Sequence, residues 1–385
     1  MLAVVQPMGA EWAPLGEALG RTLAAPVTAR LDQPPFDASA MDGWAVRAED
    51  GPGPKRIVGE SAAGAPFAGL VRPGEAARIF TGAALPAGAN AVCLQEDCQR
   101  RDDEVATPAS RNGHHVRGRG QDFQAGDELL PTGARLDAWR LLLAAAAGEA
   151  RVQVRRAPKV AILSTGDELV EPGEAIGEGR IFNSLGPALA GLVVQAGGEP
   201  ARMLSVPDDA DAIARAVAEQ PFDLLVTVGG ASVGDHDLVR PALVRLGLRP
   251  LVEGVAVRPG KPTWFGQLGN KRPILGLPGN PASALVCAEL FLRPLIRALV
   301  GLAPGPSLAT GILAGPLAAN GGREAWLRAT LAEADGCRLV QVDPRQDSSL
   351  MTVFAASGAL VRRAAGAPAA AAGGQVEIVA LDRMS

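Results

Sequence analysis

Three short apolar runs, at residues 159–163, 223–228 and 273–277, each pass directly into a polar turn containing glycine. The first turn is Ser164-Thr165-Gly166-Asp167-Glu168. The second is Gly229-Gly230-Ala231-Ser232-Val233-Gly234-Asp235-His236-Asp237, and the third is Pro278-Gly279-Asn280-Pro281-Ala282-Ser283-Ala284. Between the runs, apolar residues recur at helical spacing: Leu185, Leu189, Leu192, Val193 and Ala196, then Ile213 and Val217, then Leu238, Val239, Ala242, Leu243 and Leu246. This alternation predicts an α/β fold, with a parallel sheet covered on both faces. In a doubly wound sheet, ligands occupy the crevice outside the carboxyl ends of the strands, so the three turns are expected to converge on one site. After Pro281, the residues Ala288, Phe291, Leu292, Leu295, Ile296 and Leu299 predict a long amphipathic helix kinked at Pro294.

The remaining chain divides around this α/β domain, which is assigned to residues 157–304. Leu15, Leu19 and Leu23 suggest a helix in the first 30 residues, ended at Pro26. Residues 31–124 are rich in Gly and Pro, with β-like runs at 44–46, 56–58 and 91–94, and are expected to form a small mixed α+β domain. A helix over 138–147 and a strand over 151–155 are expected to pack back on the N-terminal helix. Together they would make a discontinuous connecting domain of residues 1–30 plus 125–156. Alternation at 325–331, 337–342 and 375–381 predicts a C-terminal β domain over 305–385, with the Ala/Gly tract 364–374 as a loop.

Charge and cysteine usage exclude several partners. The net charge of -4 leaves no basic footprint for nucleic acid or an anionic membrane. The first 20 residues carry Glu11 and Glu17 without an apolar run, so no secretory signal is expected, and no run is long enough to span a bilayer. Cys93, Cys98, Cys287 and Cys337 lie too far apart for zinc-type pairs and read as reduced thiols of a cytoplasmic protein. His114-His115 has no third ligand nearby and reads as a solvated loop; His236 is given no role.

Chemistry concentrates in the three turns. Asn280 suits an N-cap and Pro281 the first helical position, so free N–H groups and the helix dipole would favour an oxyanion. Carboxylates facing such a site need a hard cation between them and the phosphate, and magnesium fits. Glu168, a poor turn former, is read as a functional acid, whereas Asp167 is explained by turn chemistry. Asp235 admits either reading, and Asp208 has an adequate explanation as the N-cap of the helix through Ile213, with the choice between cap and site residue left open by the sequence. Only four of the 37 basic residues are lysine, so Lys261 between Gly260 and Pro262 asks for a compact cation at a fixed place, with Arg258 as a second charge for a tetrahedral oxyanion. No Ser/His/Asp or Cys/His arrangement is present. Residues 34–46 and 78–83 read as turns with an acid or hydroxyl at the tip.

The run Ser39-Ala40-Met41-Asp42-Gly43, followed by an aromatic, resembles the signature of the molybdopterin molybdenumtransferase family. Residues 79–82, 164–169, 229–234, 258–262 and 277–283 resemble further motifs of that family, in the same order and over nearly the whole chain. The C-terminal domain of gephyrin is similar as well. The resemblance implies an elongated four-domain chain forming a homodimer: a connecting domain, a small mixed domain, a doubly wound molybdopterin-binding α/β domain and a C-terminal β domain. The cleft would lie between the α/β domain of one subunit and the second domain of the other. It implies insertion of molybdate into adenylylated molybdopterin with release of AMP, magnesium dependence, and transient contact with the adenylyltransferase of the pathway. Carried over residue by residue, Asp42, Thr81, Glu168, Asp237 and Lys261 would be catalytic, with Glu168 and Asp237 holding the metal. Asp122, Arg258, Pro278, Gly279, Asn280, Pro281, Ser283, Arg328 and Ser348 would bind substrate. Two other readings are adenylyl transfer from ATP to the pterin, which the second and fourth regions argue against, and a non-catalytic gephyrin-like scaffold. The sequence does not separate molybdate from tungstate.

Overall fold

The structure, a computed structural model, describes residues 1–381 apart from 220, 230–237, 270, 306, 307 and 335. It comprises two compact units: residues 12–19 with 25–153, and residues 1–11 and 20–24 with 154–385. No helix among the described residues is long and apolar enough to cross a membrane.

The first unit is built on a mixed six-stranded sheet, in the order Ala91–Leu94, Gly43–Val46, Glu75–Ile79, Gly53–Ser61, Glu104–Thr107, Gln99–Arg101. Alternation along the strands gives it two buried faces. Trp44, Val46, Ala76 and Cys93 lie on one, and Ala45, Ala77, Ile79 and Val92 on the other. The expected N-terminal helix does not form. Pro14 and Gly16 allow only the 3-10 turn Leu15–Glu17, and Gly20 adopts φ 77°, which ends it. Leu19 is exposed while Leu23 is buried, so the leucines share no helical face. What meets the end of the helix Ala138–Ala146 region is that turn, through a bond from Leu15 N–H to the Ala150 carbonyl at 3.0 Å.

In the second unit the α/β sheet contains β1 (Lys159–Thr165), β2 (Glu199–Val206), β3 (Leu224–Val228), β4 (Leu248–Val252), β5 (Trp264–Leu268) and β6 (Arg272–Leu277). Its order is β2-β1-β3-β6-β5-β4. The first four are parallel, as the apolar runs suggest, but β5 and β4 complete the sheet as an antiparallel edge. The wholly parallel sheet read from the sequence is therefore corrected at that edge. Side chains alternate between two cores. Val160, Ile162, Val226 and Leu275 pack against α1 (Leu185–Ala196), while Ala161, Leu163, Leu225 and Ile274 pack against α2 (Ala210–Ala218) and α3 (Val239–Arg245). The chain leaves β1 for β2 on one side and returns to β3 on the other, so a topological switch point lies at the carboxyl ends of β1 and β3.

The long helix after Pro281 is interrupted differently from a simple proline kink. It runs as α4 (Pro281–Cys287), a π turn Ala288–Leu292 and α5 (Arg293–Leu299). Pro294 lacks the N–H that would close the preceding turn, and the widened π turn absorbs the mismatch. Beyond it, Glu324–Ala334, Cys337–Val342, Leu308–Leu313, Gln375–Ala380 and Ala359–Arg363 pair in sequence and close back on Glu324–Ala334 as a barrel. Val257–Arg258 adds to one side of it, parallel to Glu324 and Ala325.

One ion pair ties the base of the sheet together. Arg156 holds Asp223 with two bonds of 2.8 Å, and Lys159 N–H donates to the same carboxylate at 2.7 Å. Burial alone would raise the Asp223 carboxyl, but these partners more than offset it and hold it below its ordinary value. A depressed carboxylate contributes stability above its unfolded pKa, about 3.9, and loses it as the pH falls through the folded value. Asp223→Asn is expected to flatten the acid limb of a denaturation-versus-pH curve below about pH 4. Parallel curves for the two proteins would contradict this.

Candidate functional site

The strand register sets the carboxyl ends of the parallel strands level with one another. Thr165 lies beside Val206, Ser164 beside Val228, and Val228 beside Leu277. The residues that follow each strand meet around a cavity of about 470 Å³. Ser164, Thr165, Gly166 and Glu168 come from the first turn, Asp208 from the end of β2, Val228 and Gly229 from the second turn, and Gly279, Asn280 and Pro281 from the third. A β-carbon placed on Gly279 would sit 3.7 Å from Gly229 Cα, and one on Gly229 would sit 2.5 Å from the Thr165 carbonyl. The three turns therefore touch.

The walls differ in character. Glu168 and Asp208 supply carboxylates, and Glu168 folds back over Gly166. Thr165 is 5% exposed and its hydroxyl has no hydrogen-bond partner among the described residues. Opposite these, Leu169, Ile181, Phe182 and Leu185 form an apolar wall. Ile181 and Phe182 stay exposed on the short ribbon that pairs them with Leu169 and Val170. Buried Asn183 fixes that ribbon. Its side-chain oxygen accepts from Ser164 Oγ at 3.3 Å and Gly186 N–H at 3.2 Å, while its amide donates to Glu171 at 3.1 Å. Sequence reasoning did not single out Ile181, Phe182 or Asn183, because nothing in their spacing marks them as cavity-lining.

Asp208 is not the cap of the helix through Ile213. Asp209 takes that place, accepting from Ala212 N–H at 2.7 Å, which leaves Asp208 facing the cavity. The Asp208 N–H donates to Asp167 Oδ1 at 3.2 Å, a turn role for Asp167. The helix start at Pro281 also departs from expectation. Asn280 makes no side-chain cap, and Ala282 N–H is taken by the Ser348 carbonyl at 3.1 Å, so the row of free donors is reduced. Ser283, in the first turn of the helix, and Pro278 are both buried, and neither lines the cavity. Asp237, like Asp235 and His236, lies outside the described residues.

Arg258 and Lys261 sit at this same end of the sheet, since β5 starts opposite the end of β6, with Trp264 beside Gly276. Both are exposed and neither lines the cavity. Their turn is clamped onto α4: Gly260 has φ 122°, and a β-carbon there would fall 2.1 Å from Cys287 Sγ. Arg258 meets Asn320 at 3.4 Å. Arg328 is placed otherwise than expected. It is 1% exposed and donates to the carbonyls of Arg345, Asp347 and Leu350, shaping the loop that carries Ser348.

In the other unit, Asp42 Oδ1 accepts from both the N–H and the hydroxyl of Thr81, each at 2.7 Å. These bonds, backbone first, hold the Asp42 carboxyl below its ordinary value. Asp122 is exposed, and its N–H donates to the Gln33 carbonyl at 2.9 Å. Arg119, in the same turn, is held by Asp37 and Asp32 at 2.8 and 2.5 Å. Residues 33–42 thus run between the Asp122 turn and Asp42. Among the described residues, no three His, Cys, Asp or Glu side chains are grouped to hold a metal without help from a ligand.

Comparison with known proteins gives matches along most of the chain. Residues 1–148 match the MoeA N-terminal region (domain I and II), residues 161–298 the "Probable molybdopterin binding domain", and residues 310–381 the MoeA C-terminal region (domain IV). The chain is 40% identical over 338 residues to the molybdopterin molybdenumtransferase of Nostoc sp., covering 84% of this chain and 77% of that one. It is 35% identical over 390 residues to that of Synechococcus elongatus, covering 97% and 95%. The solved molybdopterin biosynthesis MoeA protein from Pyrococcus horikosii is similar with a TM-score of 0.84 at 30% identity, covering 99% of this chain and 97% of that one.

Proposed function

The chain belongs to the molybdopterin molybdenumtransferase (MoeA) family, and from that premise we propose that it inserts molybdate-derived molybdenum into adenylylated molybdopterin with release of AMP, in the cytoplasm. The observation that carries this reading is the cavity at the switch point, with one acidic and hydroxylic wall and one apolar wall. That division suits a substrate with a charged pyrophosphate between flat heterocycles.

Glu168 and Asp208 are the acids that would hold a magnesium ion. One or two carboxylates with phosphate oxygens and waters are its usual surroundings, and the two acids on this wall fit them. When bound, the ion neutralises phosphate charge. The Thr165 hydroxyl, without a partner among the described residues, donates to a phosphate oxygen, and Arg258 and Lys261 neutralise the molybdate oxyanion at the neighbouring turn. No protein nucleophile takes part, and the rate comes from positioning and charge stabilisation. The test supplies purified protein with adenylylated molybdopterin, magnesium and molybdate and follows AMP. Molybdate-dependent AMP release is expected; its absence would sink the reading.

A homodimer belongs to the same proposal, with Asp42, Thr81 and Asp122 of a second copy completing the site. It is supported by the helix Ala138–Ala146, which leaves Trp139 80% and Leu142 66% exposed. An apolar helix face of that kind marks an interaction surface. Replacing Trp139 and Leu142 together by aspartate is expected to halve the mass measured by light scattering while circular dichroism is unchanged. A variant that stays dimeric would place the interface elsewhere.

A further inference from the structure

Arg78 lies in the strand Glu75–Ile79 directly across from Trp44, and Phe80 follows two residues later. Side chains opposite one another in an antiparallel pair share a face. The guanidinium carbon sits 4.8 Å from the Phe80 ring centroid and 5.4 Å from that of Trp44. Two cation–π contacts thus hold the half-buried head group in place. From there its fork reaches two acceptors. Nη1 donates to the Gly43 carbonyl at 2.9 Å, and Nη2 donates to the Gln95 side-chain oxygen. The proposed reaction gives Arg78 no part.

Both acceptors border Asp42. Gly43 follows it in the chain, and the Gln95 N–H donates to the Asp42 carbonyl at 3.1 Å. The main chain leaving Asp42 is therefore gripped at two successive carbonyls, by Gln95 and by Arg78, and these two residues hold each other. On the other side of Asp42, buried Ser39 donates to the Met41 carbonyl at 2.6 Å and accepts the Met41 N–H at 3.3 Å. Thr81 follows Phe80, so the chain that carries one of the rings leads straight into the partner of Asp42. The carboxylate itself is exposed, and both Thr81 bonds fall on Oδ1. Oδ2 receives no hydrogen bond among the described residues, which makes it the oxygen open to a ligand.

We propose that Arg78 is a positioning residue: through Gly43 and Gln95 it fixes the backbone of Asp42, so that Oδ2 meets the substrate in one direction. The inference rests on the proposed function, in which Asp42 completes the site. An arginine suits this place better than a lysine. Its guanidinium is planar, stacks on aromatic faces and presents its donors in a rigid fork, whereas an ammonium is a compact charge on a flexible stem. Slackening the grip leaves the carboxylate bonded to Thr81 but lets the whole turn drift. A displacement of about 1 Å at a reacting group can cost on the order of 100-fold in rate.

Full-length protein is assayed for AMP release with adenylylated molybdopterin, magnesium and molybdate. Arg78→Lys keeps the charge and is expected to lower kcat about tenfold, with KM for both substrates and the denaturation midpoint close to wild type. Gln95→Ala, at an exposed position, is expected to lower kcat about fivefold. Gln95→Glu keeps an acceptor for the guanidinium and should retain most of the rate. The double variant Arg78→Lys/Gln95→Ala should be no slower than Arg78→Lys, because both changes break one link. Wild-type kcat in Arg78→Lys, or a rise in KM alone, overturns the proposal; so does a Gln95→Glu protein as slow as Gln95→Ala. If Arg78→Lys fails to fold, the two Gln95 variants decide. Hydrogen exchange reads the grip without the reaction: the Thr81 N–H, held by Asp42, is expected to exchange several-fold faster in Gln95→Ala. Unchanged exchange overturns the grip itself. Faster exchange with no AMP release from wild type supports the grip and marks failure of the functional reading alone.

Discussion

Gly43→Ala is expected to abolish molybdate-dependent AMP release and to destabilise the N-terminal unit by about 3 kcal/mol, at the upper end for small-to-large changes in a packed interior. A β-carbon at this position would lie 1.9 Å from the Cys93 carbonyl oxygen, 2.9 Å from its carbon and 3.3 Å from Gln95 N. All three are backbone atoms of the neighbouring strand and the turn that follows it, so no side chain can move aside. The pairing of Gly43 with Leu94 and Ile79 must open. Asp42, one residue earlier, then loses the frame that keeps its carboxylate against Thr81. Denaturant unfolding monitored by tryptophan fluorescence reads the stability loss, because Trp44 lies in the same strand. A variant with wild-type stability and rate would show that the close approach is not as described.

The second large effect is expected at Glu168. Glu168→Gln keeps the size of the side chain and removes its charge, and the exposed position makes a folding defect unnecessary to consider. If this acid shares a magnesium ion with Asp208, the rate should fall roughly 100-fold, about 2.7 kcal/mol of barrier. The magnesium concentration for half-maximal rate should rise at the same time. Asp208→Asn should shift the magnesium dependence in the same direction. A Glu168→Gln enzyme that is slower with an unchanged magnesium requirement would separate this residue from the metal.

The parts of the α/β body that the chain announces are those buried on all sides. Val160, Ile162, Leu224 and Leu275 sit in continuous apolar runs because both faces of their strands are covered, and that pattern survives without tertiary knowledge. The antiparallel edge escaped because β4 carries exposed Arg249 and Pro250, which dilute the strand signal. The leucines of the N-terminal segment mimic a helix by spacing alone, although Pro14, Gly16 and Gly20 forbid one. At the site, Glu168 was legible because a glutamate in a glycine turn is out of place. Asp208 stayed undecided between cap and site residue, since it stands next to Asp209 and either acid could cap the helix; only the bond to Ala212 N–H decides between them. Arg328 is a case that the residues themselves did not mark. The family resemblance alone placed it with the substrate contacts, whereas here its guanidinium is enclosed by loop carbonyls. Ile181 and Phe182 become meaningful only when seen exposed beside a polar cavity.

The most direct measurement is the position of AMP in a crystal of the protein grown with magnesium. The account predicts phosphate density between Thr165, Gly229 and Asn280, with Glu168 and Asp208 on the ion and the adenine against Ile181 and Phe182. Nucleotide bound at any other surface, with the switch-point cavity left to solvent, would contradict it.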